Sequence, residues 1–162
     1  MAVHFTCGDR ETAIAIMREA AQWLIDIGQP LWNIDDLTAE KLGNPAEEFW
    51  VLWNGTKSIA AMTLSFEDAF FWPDVPRGTS GFIHKLSIRR EYASQGYAAL
   101  LVEHAKKICR DKSICYLRLD CDPHRNGLMQ FYYTCGFKLC ETKSIYAPKL
   151  GKIDLAMFEM KI

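Results

Sequence analysis

No stretch of this chain approaches the ~20 apolar residues needed to cross a bilayer. No Cys-x-x-Cys pair offers metal-ligand spacing, and no metal is expected. Neither sign of charge dominates: 19 Lys and Arg against 20 Asp and Glu leave a net charge of −1. That balance gives no electrostatic case for a nucleic-acid partner or an anionic membrane surface. There is no internal repeat, no low-complexity stretch and no linker-like segment. The N-terminus, MAVHFTCGDRE, reaches Asp9, Arg10 and Glu11 before any long apolar run and does not read as a secretory signal.

What is present is a chain of 162 residues, 49% hydrophobic and 12% aromatic, enough for one sizeable core. A single domain over residues 1–162 is expected. Cys7, Cys109, Cys115, Cys121, Cys135 and Cys140 each fall in a segment that reads as strand or amphipathic helix. They are read as small reduced hydrophobes in a cytoplasmic protein.

The periodicities predict a strand at Val3 to Thr6, then a helix from Asp9 to about Ile27, capped by Asp9 and stopped by Gly28. Asn33 is placed as the cap of a second short helix ending near Gly43. Phe49 to Trp53, Asn54-Gly55, then Ser58 to Ser65 form a hairpin signal. Phe66 to Ser80 reads as a long loop. Gly81 to Ile88 is a strand, Gln95 to Cys109 a helix, Cys115 to Cys121 a strand, and Arg125 to Cys135 a helix stopped by Gly136. Phe137 to Thr142 and Ile153 to Met160 are the last strands. The fold class is α/β: a mixed central sheet of about seven strands with helices on both faces.

The informative stretch is Phe82 to Ala99, FIHKLSIRREYASQGYAA. A strand ends at Ile88 and a helix opens at Gln95-Gly96-Tyr97-Ala98. Small residues at such a turn let backbone N–H groups converge, and the helix dipole adds positive potential, which suits a pyrophosphate. Alone, a glycine at a helix start is more often just a tight turn. The Gly-Lys-Ser/Thr ending of a P-loop and the G-x-G-x-x-G dinucleotide fingerprint are both missing.

A second motif follows. The strand Tyr116 to Cys121 runs into Asp122-Pro123-His124-Arg125-Asn126, then Phe131-Tyr132-Tyr133-Thr134-Cys135-Gly136-Phe137. With both in place the sequence resembles the GCN5-related N-acetyltransferases (GNAT). The family's (Gln/Arg)-x-x-Gly-x-(Gly/Ala) falls on Ala93 to Ala98, and its Phe-Tyr-x-x-x-Gly-Phe on Phe131 to Phe137. The resemblance implies acetyl-coenzyme A as donor. It implies that the backbone of Leu86, Ser87 and Ile88 pairs with the pantetheine arm. The amides of Ser94, Gln95, Gly96, Tyr97 and Ala98 would hold the pyrophosphate. Asn126, or Arg125 one register earlier, matches the loop asparagine, and Tyr132 matches the tyrosine near the thiol. One departure is clear: Ala93 stands where the family has Gln or Arg, which removes a side-chain donor but not the backbone ones.

Acetyl transfer needs a neutral amine, and an alkylammonium of pKa ~10.4 is neutral at pH 7 in about one molecule in a few thousand. Tyr132, with a reference pKa near ~10 against ~8.5 for a thiol, can hydrogen-bond a developing thiolate. Tyr133 takes that role if the register slips. For the base there are His84, on the strand face of Phe82, Leu86 and Ile88, or Glu67; Asp120 or a water chain are alternatives. On the acceptor side stand Trp32, Glu67, Asp68 and Trp72. Aromatics beside acids suit a cation, and equally they suit a core or an oligomer interface. The reading is a cytoplasmic N-acetyltransferase, monomer or homodimer, acting on a small-molecule amine. The alternative is a non-catalytic acyl-coenzyme A binding or regulatory module of the same fold.

Overall fold

The structure is a computed structural model and describes residues 2–148 and 151–162. Seven strands and three α-helices follow in the order β1 (Val3–Cys7), α1 (Arg10–Asp26), β2 (Glu48–Asn54), β3 (Lys57–Ser65), β4 (Ser80–Ile88), α2 (Tyr97–Asp111), β5 (Tyr116–Cys121), α3 (Asn126–Cys135), β6 (Lys138–Ala147) and β7 (Gly151–Lys161). The strands form one sheet in the order β1-β2-β3-β4-β5-β7-β6. The β1–β2, β2–β3, β5–β7 and β6–β7 pairs are antiparallel, and β4–β5 is parallel, so the sheet is mixed. The parallel pair requires the long crossover that α2 supplies. Among the described residues no helix is long and apolar enough to cross a membrane.

Contacts divide the chain into two compact units. One takes residues up to 65 together with 84–104. In it the Asp9 side chain accepts from the Thr12 amide at 3.1 Å, as predicted, a cap worth about 1 kcal/mol. The apolar stripe of α1, Ala13, Ile14, Ile16, Met17 and Ala21, packs on Phe49, Val51 and Ala61. Successive residues of a strand point to opposite faces. Trp50, next to Phe49, lies edge-on to His104 of α2 at 4.6 Å, and Phe5 stacks on the same ring at 3.8 Å. Both faces of β2 are thus covered by helices.

The other unit takes 66–83 together with 105 onward. One of its cores is Trp72, Phe82, Leu155 and Met157. Tyr132 of α3 packs its ring on Phe137 and Phe158, each at 5.8 Å.

Three sequence expectations are corrected. Asn33 caps a single 3-10 turn, Ile34–Asp36, not a helix reaching Gly43. The Asn33 and Thr38 side chains take the Asp35 and Lys41 amides, so polar side chains bind local backbone in place of a helical ladder. Helix α2 opens at Tyr97 and not Gln95, because Ser94 and Gly96 both have positive φ. Strand β6 runs on to Ala147 and not only to Thr142, held by its antiparallel ladder with β7 through Ala147–Gly151.

Candidate active site

The turn between β4 and α2 belongs to the first unit. Near the end of β4, Lys85 has φ +54°, and the Ser87 hydroxyl donates to the Lys85 carbonyl at 2.9 Å. Leu86 and Ile88 are half-buried and Ser87 is buried. A 3-10 turn, Arg90–Tyr92, follows, and the Ala93 amide donates to the Arg90 carbonyl. Ser94 then takes φ +61° and Gly96 φ +87°. Two left-handed residues so close together turn successive N–H groups toward one side, the geometry of an anion nest. A Cβ built on Gly96 meets no atom within 4 Å, so the space above this backbone is open. The first turn of α2 adds N–H groups with no helical acceptor. Tyr97 is buried and stands edge-on to Tyr92 at 6.1 Å, which anchors that turn. Ser94, Gln95 and Gly96 are exposed, and Ala98 is half-buried.

Arg89 and Arg90, two nearby cations, are both engaged. The Arg89 guanidinium donates to the Ser58 carbonyl and hydroxyl and pairs with Glu19 at 3.1 Å. Arg90 lies over the Trp23 ring at 3.6 Å. Any anion held by this turn therefore rests first on backbone donors. That accords with Ala93, where a side-chain donor is lost.

In the second unit, Tyr132 lies in α3 and is 5% exposed. Burial first, then the thiol of Cys121 and the carboxylate of Asp120, push its phenol well above the ordinary tyrosine range; Arg125 works the other way. The group therefore stays an O–H donor at any physiological pH. Burial, with Asp120 and Asp122, likewise pushes the Cys121 thiol up to about 12, so it is no nucleophile. Tyr133 is 44% exposed. Arg125 is the N-cap residue of α3, with no side-chain cap bond, and Asn126 opens the helix. Asp120, at the end of β5, and Asp68 are half-buried and bring carboxylate oxygens within 4.8 Å of each other.

The structure sorts the expected acceptor residues. Glu67 pairs with Arg77 at 2.6 Å. The Asp68 carboxylate accepts from the Phe71 amide at 3.0 Å. Trp72 is a core residue, 8% exposed, its ring occupied by the Arg118 guanidinium at 5.2 Å. Its expected place in a cation cage is corrected on that ground. Trp32 belongs to the first unit and packs on the α1 core. His84 sits half-buried on β4, and its carbonyl accepts from Thr63.

Sequence reasoning missed two features. The positive φ of Lys85 and Ser94 carries no local signal, because neither residue type favours it. The cluster around Arg118 joins residues far apart in the chain: Arg118 donates to Ser80 at 2.9 Å and to Glu159 at 2.5 Å.

The comparisons agree on one family. The model of the acetyltransferase (GNAT) family matches residues 17–137. The chain is 25% identical over 142 residues to "uncharacterized N-acetyltransferase YesJ" of Bacillus subtilis (strain 168), covering 80% of this chain and 77% of that protein. It is 31% identical over 83 residues to N-alpha-acetyltransferase 30 of Schizosaccharomyces pombe (strain 972), covering 50% of this chain and 54% of that one. Its fold is similar to that of the PaiA N-acetyltransferase of Thermoplasma acidophilum, solved in complex with coenzyme A, with a TM-score of 0.74, 19% identity and full coverage of both chains. A motif pair on a seven-stranded mixed sheet, an open backbone turn and a family model spanning most of the length lead to one conclusion: the chain belongs to the acetyltransferase (GNAT) family.

Proposed function

We propose that this protein is an N-acetyltransferase that takes acetyl-coenzyme A as donor and a small cationic amine as acceptor. The observation that carries the donor assignment is the Ser94–Gly96 turn, with two positive φ angles and open space where a side chain would stand. In this reading the amides of Ser94, Gln95, Gly96, Tyr97 and Ala98 hold the pyrophosphate. The backbone of Leu86, Ser87 and Ile88 pairs with the pantetheine as an added strand. Asn126, with Arg125 as the register alternative, contacts the arm near the start of α3. When bound, the donor supplies an activated acyl group and a thiol leaving group. Tyr132 donates its hydrogen bond to the sulfur as negative charge develops. Full proton transfer from so weakly acidic a phenol is unfavourable, so its role is that of a hydrogen-bond donor.

On the acceptor side, Glu67 is already paired with Arg77. Asp68 and Asp120, with oxygens within 4.8 Å, support attraction of an ammonium. His84 is the candidate base. Trp32 remains a candidate wall of the acceptor site; Trp72, buried under Arg118, does not.

The test is thiol release from acetyl-coenzyme A against a panel of small amines, peptide N-termini and lysine peptides. Turnover with a small amine is expected. A specific observation favours the non-catalytic reading: Ala93 stands in the motif position, and Arg89 is tied to Glu19 and Ser58. Tight coenzyme A binding with no thiol release for any acceptor would establish that reading instead.

A further inference from the structure

We propose that the closed start of the β4–β5 ladder, at Phe82 and Arg118 with Trp72 packed on Phe82, is the floor that sets how long an acyl chain the donor can carry. The inference rests on the donor reading above.

The ladder between β4 and β5 has three pairs, Ser80–Tyr116, Gly81–Leu117 and Phe82–Arg118. Over those residues the β5-facing edge of β4 is taken up by its neighbour. From Ile83 to Ile88 that edge lies outside this ladder. An arm that starts at the turn after Ile88 and pairs with Leu86–Ile88 points back along β4 toward Phe82. Four residues separate Leu86 from Phe82, about 13 Å at the usual strand rise, somewhat less with the kink at Lys85. The thioester and its acyl group have that stretch and no more.

The floor is built not to yield. Phe82 is 1% exposed and its ring centroid lies 6.2 Å from that of Trp72, with Leu155 and Met157 completing the cluster. Arg118 is fixed on four sides. It donates to the buried Ser80 hydroxyl and to Glu159, and its guanidinium lies over the rings of Trp72 and Tyr116 at 5.2 and 4.9 Å. A longer chain could advance only by separating this pair of strands, which would leave Arg118 and Glu159 without each other in a largely buried place.

Chain length is therefore a direct probe. A methylene that finds room tightens binding about fourfold, and one that meets the floor weakens it. The experiment is calorimetry of the full chain with coenzyme A and its acetyl, propionyl, butyryl, hexanoyl and octanoyl thioesters, with no acceptor present. For the parent, affinity is expected to hold or rise to butyryl and then fall at least tenfold by octanoyl. Phe82→Ala should move that break upward by two or more carbons and leave acetyl-coenzyme A affinity within about threefold. Phe82→Leu is the milder variant should the first fail to fold. Trp72→Phe is a third, since the Trp72 indole N–H has no hydrogen-bond partner to lose. Octanoyl binding as tight as acetyl in the parent overturns the floor. So does an unmoved break in a folded Phe82 variant. Failure of the parent to bind coenzyme A at all would instead overturn the donor reading.

Discussion

Arg89 and Glu19 are 70 residues apart and meet at 3.1 Å, and the second oxygen of the same carboxylate accepts the Arg90 amide, also at 3.1 Å. One side chain of α1 thus holds both the charge and the backbone that lead into the anion turn. The pair is partly exposed, so its worth to stability is modest, about 1 kcal/mol or less. Its larger effect is expected on binding, because a turn held in place loses less freedom when a ligand arrives. Glu19→Ala should lower the melting temperature by only a few degrees and weaken coenzyme A binding roughly three- to tenfold. Glu19→Gln, which keeps an acceptor, should fall between. Parallel thermal scans and calorimetry decide it; unchanged affinity in Glu19→Ala would show that the carboxylate holds nothing the ligand uses.

Gly96 is the sharper test of the turn itself. Its φ of +87° strains any L side chain, and the Cβ direction is open. A side chain there would stand in the space assigned to the pyrophosphate. Gly96→Ala should weaken coenzyme A binding about tenfold, from a backbone cost of ~1–2 kcal/mol. Gly96→Val should abolish measurable binding while the far-ultraviolet spectrum stays that of the parent. Parent-like affinity in Gly96→Val would remove the ligand from this turn.

Much of this layout is legible in the sequence because it rests on local chemistry. Asp9 as a cap, Gly136 as a left-handed stop at φ +102° and the hairpin around Gly55 each declare themselves within a few residues. The site is legible only in part. Gly96 announces its positive φ, whereas Ser94 and Lys85 adopt theirs under tertiary constraint. Trp72 shows the limit most clearly. An aromatic beside acids reads equally as a cage or a core, and only the fold brings up Phe82 beneath it and Arg118 across its face. The length of β6 fails for a similar reason: its pairing partner β7 comes after it in the chain.

His124 Nε2 lies 2.9 Å from one Asp154 oxygen, and Ser144 donates to the other at 2.6 Å, so the loop before α3 is tied to the β6–β7 hairpin. The Asp154 contact raises the His124 pKa, and the His124 and Ser144 contacts lower that of Asp154. The contribution of the histidine is present below its unfolded value of ~6.5 and fades as pH rises through the raised folded value. That of the aspartate is lost as pH falls below ~4. The tie should therefore be tightest between about pH 4 and 6.5. Titration of the His124 ring by NMR should give a pKa above the reference value, returned to it by Asp154→Asn. A ring that titrates alike in both would dissolve the pair.

Tyr132 is the residue on which catalysis should turn. Its ring is packed on Phe131, Phe137 and Phe158, so Tyr132→Phe removes one hydroxyl and leaves those contacts in place. A group that acts only as charge builds on sulfur should affect turnover and not donor affinity. With a competent acceptor, kcat is expected to fall roughly tenfold to a thousandfold, with coenzyme A affinity within about twofold. The raised pKa adds a second expectation. Above pH ~10 an ordinary tyrosine begins to lose its proton, whereas this buried phenol keeps it, so no alkaline limb below pH ~10 should trace to Tyr132. Unfolding follows the same sign: the unfolded chain releases that proton first, so the contribution of Tyr132 to stability declines as pH climbs past ~10. Tyr133→Phe, altering the exposed neighbour, is the control and should leave kcat near the parent value. Equal losses in the two variants, or a full rate in Tyr132→Phe, would take the thiolate partner away from this residue.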